Sequence, residues 1–190
     1  QVGRPWVLLL LSAARFATEP RDELGMLHRR GILDAVPLTR AERELVEDTF
    51  RVLSITFSYM GGADGIDEFM SQRETPKYAH IIYENLGDLY LEKERFQDAA
   101  QTYEAFVEQD PFHPKSPLLQ VEVIESYKRC GVPSLVLEGK KSFVERYGMD
   151  GQFWVRNPRA ENAEVEAHLK TSLNDLAKYY HAEAQRDGKR

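Results

Sequence analysis

The chain has 190 residues, 42% of them apolar and 29% charged, the balance of a globular fold with a sizeable core rather than of a disordered segment. Its formal net charge of −6 argues against a dedicated binder of nucleic acid or of anionic membrane. The single cysteine, Cys130, excludes an internal disulfide and leaves the compartment open; at the end of an expected helix it reads as a buried, unreactive thiol.

In chain order, residues 1–38 are the least regular. Val7 to Phe16 fits a helix and Asp22 to Arg30 a second, with Pro20, Gly25, Gly31 and Pro37 as punctuation. The apolar run Trp6 to Leu11 follows Arg4 and precedes Ser12-Ala13-Ala14, so a buried helix and the remnant of a signal peptide both fit it. It falls short of the ~18 apolar residues a membrane-spanning helix needs, as does every other run. His28-Arg29-Arg30 reads as a solvated helix end.

Residues 39–75 open with Thr39-Arg40-Ala41-Glu42, a capping box that satisfies free N–H groups at a helix start. Leu45, Val46, Phe50, Leu53, Phe57 and Met60 then share one helical face, and Gly61-Gly62 ends the helix. Asp64 starts a short helix with Ile66, Phe69 and Met70 inward.

Residues 76–114 carry the clearest signal. Thr75-Pro76 caps a helix in which Tyr83, Leu86, Gly87 and Tyr90 align. Lys93-Glu94-Arg95 makes a short turn into a second helix aligned on Ala99, Tyr103 and Phe106, which Pro111 ends. A shift of about 37 residues returns the pattern in 115–148: Asp88-Leu89-Tyr90 becomes Glu125-Ser126-Tyr127, and Phe106-Val107-Glu108 becomes Phe143-Val144-Glu145. Pro117 and Pro133 mark its two helix starts.

In residues 149–190, a long loop from Gly148 to Pro158 holds Phe153 and Trp154, which either staple it to a core or form a contact surface. A helix from about Asn162 to Gln185 follows, and Leu169, Leu173, Leu176, Ala177 and Tyr180 repeat the first-helix face. No partner helix follows within the 190 residues, so the chain reads as a piece of a longer solenoid of antiparallel helix pairs.

Signatures of catalysis are missing from the sequence. Gly61, Gly62 and Gly65 lack the spacing and the Lys-Ser/Thr of a phosphate loop, and the five histidines form no zinc-binding spacing. There is no nucleophile elbow and no protease signature around Cys130, so neither an enzyme nor a cofactor is expected.

The spacing Tyr83-x2-Leu86-Gly87-x2-Tyr90, then Ala99-x3-Tyr103-x2-Phe106-x4-Pro111, resembles the tetratricopeptide repeat family. The resemblance is good from Lys77 to Tyr147, partial from Ala167 to Arg186, and weak before Lys77. It implies an all-α, right-handed solenoid whose first helices line a concave groove holding a segment of a partner protein. Phe106 and Phe143 depart from the family's small residue, which implies a wider spacing between repeats, and the elbow is longer than usual. Those departures are similar to a bacterial envelope subgroup and tilt localisation toward the periplasm or outer membrane, with the cytoplasm still open.

In that frame the groove carries Glu84, Asp88, Leu91, Glu92, Glu122 and Glu125, with Lys128 and Arg129 at its far end. Acid stands where the family's carboxylate clamp needs base, so the expected guest is a basic or mixed-charge protein segment. Two other roles stay open: a structural spacer within a long solenoid, and a targeting region for a catalytic domain outside this stretch.

Overall fold

The computed structural model describes residues 40–71 and 78–187. The expectations for residues 1–38, the Thr39 capping box, the inward side chain of Leu45 and the Thr75-Pro76 cap lie outside the described residues. The chain divides into two units, Gln1–Leu89 and Tyr90–Arg190, and the described residues of both are helical with no strand.

In the first unit α1 (Arg40–Tyr59) and α2 (Ala63–Ser71) form a helix pair, followed by α3 (Ala79–Glu92), whose last turn belongs to the second unit. Phe50 and Phe57 of α1 are buried, with Val46 and Leu53 half-buried beside them. The Phe57 ring meets Phe69 of α2 edge-on at 5.8 Å, and Phe50 meets Tyr78 at 6.3 Å. Gly61 and Gly62 both have positive φ, and the Gly62 N–H donates back to the Phe57 carbonyl, which closes the helix end. Met60, expected inward, is exposed. It lies past the last helical residue, where helical periodicity no longer governs direction. Tyr83 of α3 is fully buried and its hydroxyl donates to the Asp67 carboxylate of α2. Burial first, then that bond, pushes the phenol well above its usual range.

The second unit holds α4 (Phe96–Gln109), α5 (Ser116–Arg129), α6 (Pro133–Tyr147), the short α7 (Gln152–Arg156), a 3-10 turn (Arg159–Glu161) and α8 (Ala163–Asp187). Here α4 packs on α5, α5 on α6 and α6 on α8. The short connection between α5 and α6, Cys130-Gly131-Val132, leaves no room for a crossover, so those helices run antiparallel. Pro117 sits in the first turn of α5 and Pro133 opens α6, positions where the missing N–H costs nothing.

Two helix ends share one device. At the end of α5 the Val132 N–H bonds the Tyr127 carbonyl and the Gly131 N–H bonds that of Lys128, with Gly131 at φ +74°. At the end of α3 Arg95 and Glu94 make the same bonds to Tyr90 and Leu91, but the left-handed position is held by Glu94 at φ 57°. Cys130, expected buried, caps α5 and is half-exposed because it lies in this turn.

The loop after α6 is not wholly irregular, since Gln152–Arg156 coil into α7. Phe153 is buried against Tyr147 at 5.3 Å, and Trp154 Nε1 donates to the Tyr147 carbonyl at 2.9 Å. The two aromatics therefore staple the segment to the core made by Ile124, Phe143, Tyr147, Val165 and Leu169. Asn157 locks it from the other side, its amide donating to the carbonyls of Phe112 and Phe153. The closing helix, expected over Asn162 to Gln185, runs Ala163–Asp187.

Candidate functional site

α3 and α5 match in length and in the spacing of their buried residues. α3 and α5 are each 14 residues long, and Ser116 follows Ala79 by 37 positions. In α3 the residues Ala79, Ile82, Tyr83, Leu86 and Gly87 are buried; at the same spacing in α5, Ser116, Leu119, Gln120, Val123 and Ile124 are buried. A helix that buries one continuous face exposes the other, and the predicted contact residues fall on the remaining positions.

In the first unit Glu84 is half-buried and Asp88 exposed on α3. In the second unit Leu91 is half-buried and Glu92 exposed on the last turn of α3. On α5, Glu122 and Glu125 are half-exposed while Lys128 and Arg129 are exposed in its last turn, where cations suit the negative helix end. Lys128 Nζ lies 3.2 Å from Glu125 Oε2, a solvent-screened pair within one helix. The structure thus brings Glu122, Glu125, Lys128 and Arg129 together on one helix as acid followed by base.

Sequence reasoning missed the carboxylate that α4 adds. Glu104 is half-buried, and Tyr127 Oη donates to its Oε2 at 3.5 Å. Desolvation first, then the neighbouring Glu108, raises the Glu104 carboxyl above its ordinary value, while Arg146 pulls the other way. Tyr127 of α5 occupies the position that Tyr90 holds in α3, and that correspondence was the one signal able to flag a polar partner for it. Tyr90 has a different one: the Arg95 guanidinium lies 4.3 Å from its ring centroid, held by Asp98 at 2.6 Å.

An open crevice of about 530 Å³ lies elsewhere in the second unit, with Val107, Pro111 and Phe112 on its apolar side and Glu108, Glu145 and Arg146 at its rim. None of the predicted contact residues lines it. Among the described residues no three metal-ligating side chains gather, and no helix is long and apolar enough to cross a membrane.

No family model, curated protein or solved structure matches the chain.

Proposed function

We propose that the chain is a non-catalytic scaffold of stacked, tetratricopeptide-like helix pairs, a right-handed solenoid that holds a segment of another protein against the exposed faces of its first helices. The observation that carries the reading is the return of one buried pattern, Ala79/Ile82/Tyr83/Leu86/Gly87, as Ser116/Leu119/Gln120/Val123/Ile124. A unit that repeats its buried face also repeats its solvent-facing one, and a repeated solvent-facing side suits an extended guest. The sequential packing of α4, α5, α6 and α8 in the second unit agrees with it.

The guest is a basic or mixed-charge polypeptide segment. Glu122 and Glu125 on α5 meet it first, and Lys128 and Arg129 accept its acidic end. Glu84 and Asp88 of the first unit, and Leu91 and Glu92 at the end of α3, are contacts of the same kind. Apolar and aromatic anchors supply most of the affinity, and charge supplies rate and selectivity. The bacterial envelope remains the favoured setting on the resemblance alone.

Affinity selection of random peptides on the full chain tests the reading. Lysine or arginine beside an apolar residue is the expected consensus. Glu122→Lys with Glu125→Lys should weaken the selected peptide by about threefold per reversed charge, the size of an exposed ion pair. Glu84→Lys with Asp88→Lys, made separately, is expected to act in the same direction. Affinity that ignores both reversals, or a consensus rich in acid, contradicts the proposal.

A further inference from the structure

Three helices of the second unit bring lysines together around Asp175. Lys140 of α6 bonds its carboxylate, and Lys178 of α8 and Lys128 of α5 stand close enough to help hold that carboxyl below its ordinary value. Lys141, the next residue of α6, places its Nζ 5.3 Å from the ring centroid of Tyr180 on α8. Lys128 and Lys178 are exposed, and Lys141 is half-exposed.

The acids in reach do not balance these bases. Lys128 pairs with Glu125 at 3.2 Å and Lys140 with Asp175. Glu138, one turn before Lys141 on α6, acts on Lys141 and is also felt at Glu104 and Tyr127. Counting Arg129 beside Lys128, five bases stand against three acids, a local positive excess in a chain of net −6.

The arrangement selects among anions. Asp175 sits where Lys140, Lys178 and Lys128 converge, so a compact anion such as phosphate would meet a carboxylate at the centre. Lysines spread over helices whose axes lie about 8–10 Å apart suit acids spaced along an extended chain, where one face recurs every ~7 Å. The rest of this chain does not supply such acid. Residues 1–39 hold five arginines against four acids, 72–77 two bases against one acid, and 188–190 two bases and no acid. A second copy brings net −6 against net −6, which opposes association. That charge also repels the dense phosphates of a nucleic acid more than the sparser carboxylates of a polypeptide.

We infer that the lysines of α5, α6 and α8 around Asp175 form a docking surface for an acidic segment of a partner polypeptide. Lys141 and Lys178 make the new ion pairs, and the exposed Tyr179 and Tyr180 offer apolar surface beside them. The inference goes beyond the acidic face of α5, sharing Lys128 with that groove and taking the opposite charge.

The probe is a short fluorescein-labelled peptide of alternating glutamate and serine, added to the full chain at low ionic strength. Carbodiimide coupling followed by peptide mapping reads where its carboxylates meet lysine. Coupling at Lys141 and Lys178 several-fold above the exposed Lys93 and Lys115 is the expected result. Lys141→Gln with Lys178→Gln should weaken binding, read by fluorescence anisotropy, by about threefold per lost pair, and added salt should weaken it further. Lys93→Gln with Lys115→Gln should leave it unchanged. Coupling spread evenly over the surface lysines, or an affinity that ignores the first pair of changes, overturns the inference. So does coupling of the patch, without peptide, to a carboxylate of residues 1–39 or of a second copy, or tighter binding of a single-stranded oligonucleotide. Failure of the charge reversals on α3 and α5 would sink the groove reading and leave this assay unaffected.

Discussion

α5 and α8 present the same two rows of side chains, and only one of the helices has both rows covered. In α5, Gln120 and Ile124 close against Arg146 and Gly139 of α6; in α8, Leu173 and Tyr180 remain close to half exposed. The first row, Ser116/Leu119/Val123 in one and Leu169/Ser172/Leu176 in the other, is buried in both. In α5 that second row closes against α6, which follows it, whereas in α8 Lys141 of α6, which precedes it, reaches Tyr180 at the end of the row.

Breaking the covered row should do the most damage. Ile124→Ala should cost about 2–5 kcal/mol, since it removes a buried aliphatic side chain and leaves a void. Leu173→Ala at the uncovered counterpart should change stability by less than about 0.5 kcal/mol. Urea unfolding of the two variants measures the contrast directly, and equal losses would erase it. Gly139→Leu in the chain itself comes next. It forces a side chain into the contact with Ile124 and should cost about 1–3 kcal/mol by overpacking.

The two turns that end α3 and α5 give a third contrast. Gly131 holds a left-handed conformation at no steric cost, whereas Glu94 holds it with a Cβ. Glu94→Gly should stabilise the chain by about 1 kcal/mol, and Gly131→Ala should destabilise it by a similar amount. Nothing lies within 4 Å of a Cβ built on Gly131, so the second effect is conformational alone. Thermal melts of both variants check the pair of signs.

Electrostatic changes should matter least. The Lys140 bond depresses the Asp175 carboxyl below its ordinary 3.8. A depressed carboxylate contributes stability above its unfolded pKa and loses it as pH falls through the folded value. Asp175→Asn should therefore cost below about 1 kcal/mol at neutral pH, given solvent screening, and the difference should vanish in acid. Glu104 carries the opposite sign. Its raised carboxyl means that the folded state binds a proton more readily than the unfolded one, so stability falls as pH rises above 4.5 through the folded value. Glu104→Gln should remove that decline, as pH-dependent melts will show.

Much of the helical order was readable from composition and spacing. Pro117, Pro133 and Gly61-Gly62 act through backbone geometry that is local, so helix starts and ends near them were legible. The burial of Tyr83, Leu86, Phe106 and Phe143 followed from periodicity for the same reason. What periodicity left out depends on chain returning from elsewhere. α7 is only five residues long, too short to show a period, and is held by Phe153 beneath it and by Asn157 reaching the Phe112 carbonyl 45 positions away. Leu173, Ala177 and Tyr180 align as an inward face in the sequence, yet inwardness requires a neighbour that a pattern cannot supply. Of the candidate contacts, the acid-then-base order along α5 was legible because it lies within one helix. The desolvated Glu104 was not, because its partner Tyr127 lies on a different helix.

Deuterium uptake of the full chain, measured with and without a selected basic peptide, probes the scaffold reading at its centre. Protection gained over residues 122–129 of α5, with none over α6, is the expected result. Protection confined to the second helices, or a bound peptide that leaves α5 unchanged, would contradict it.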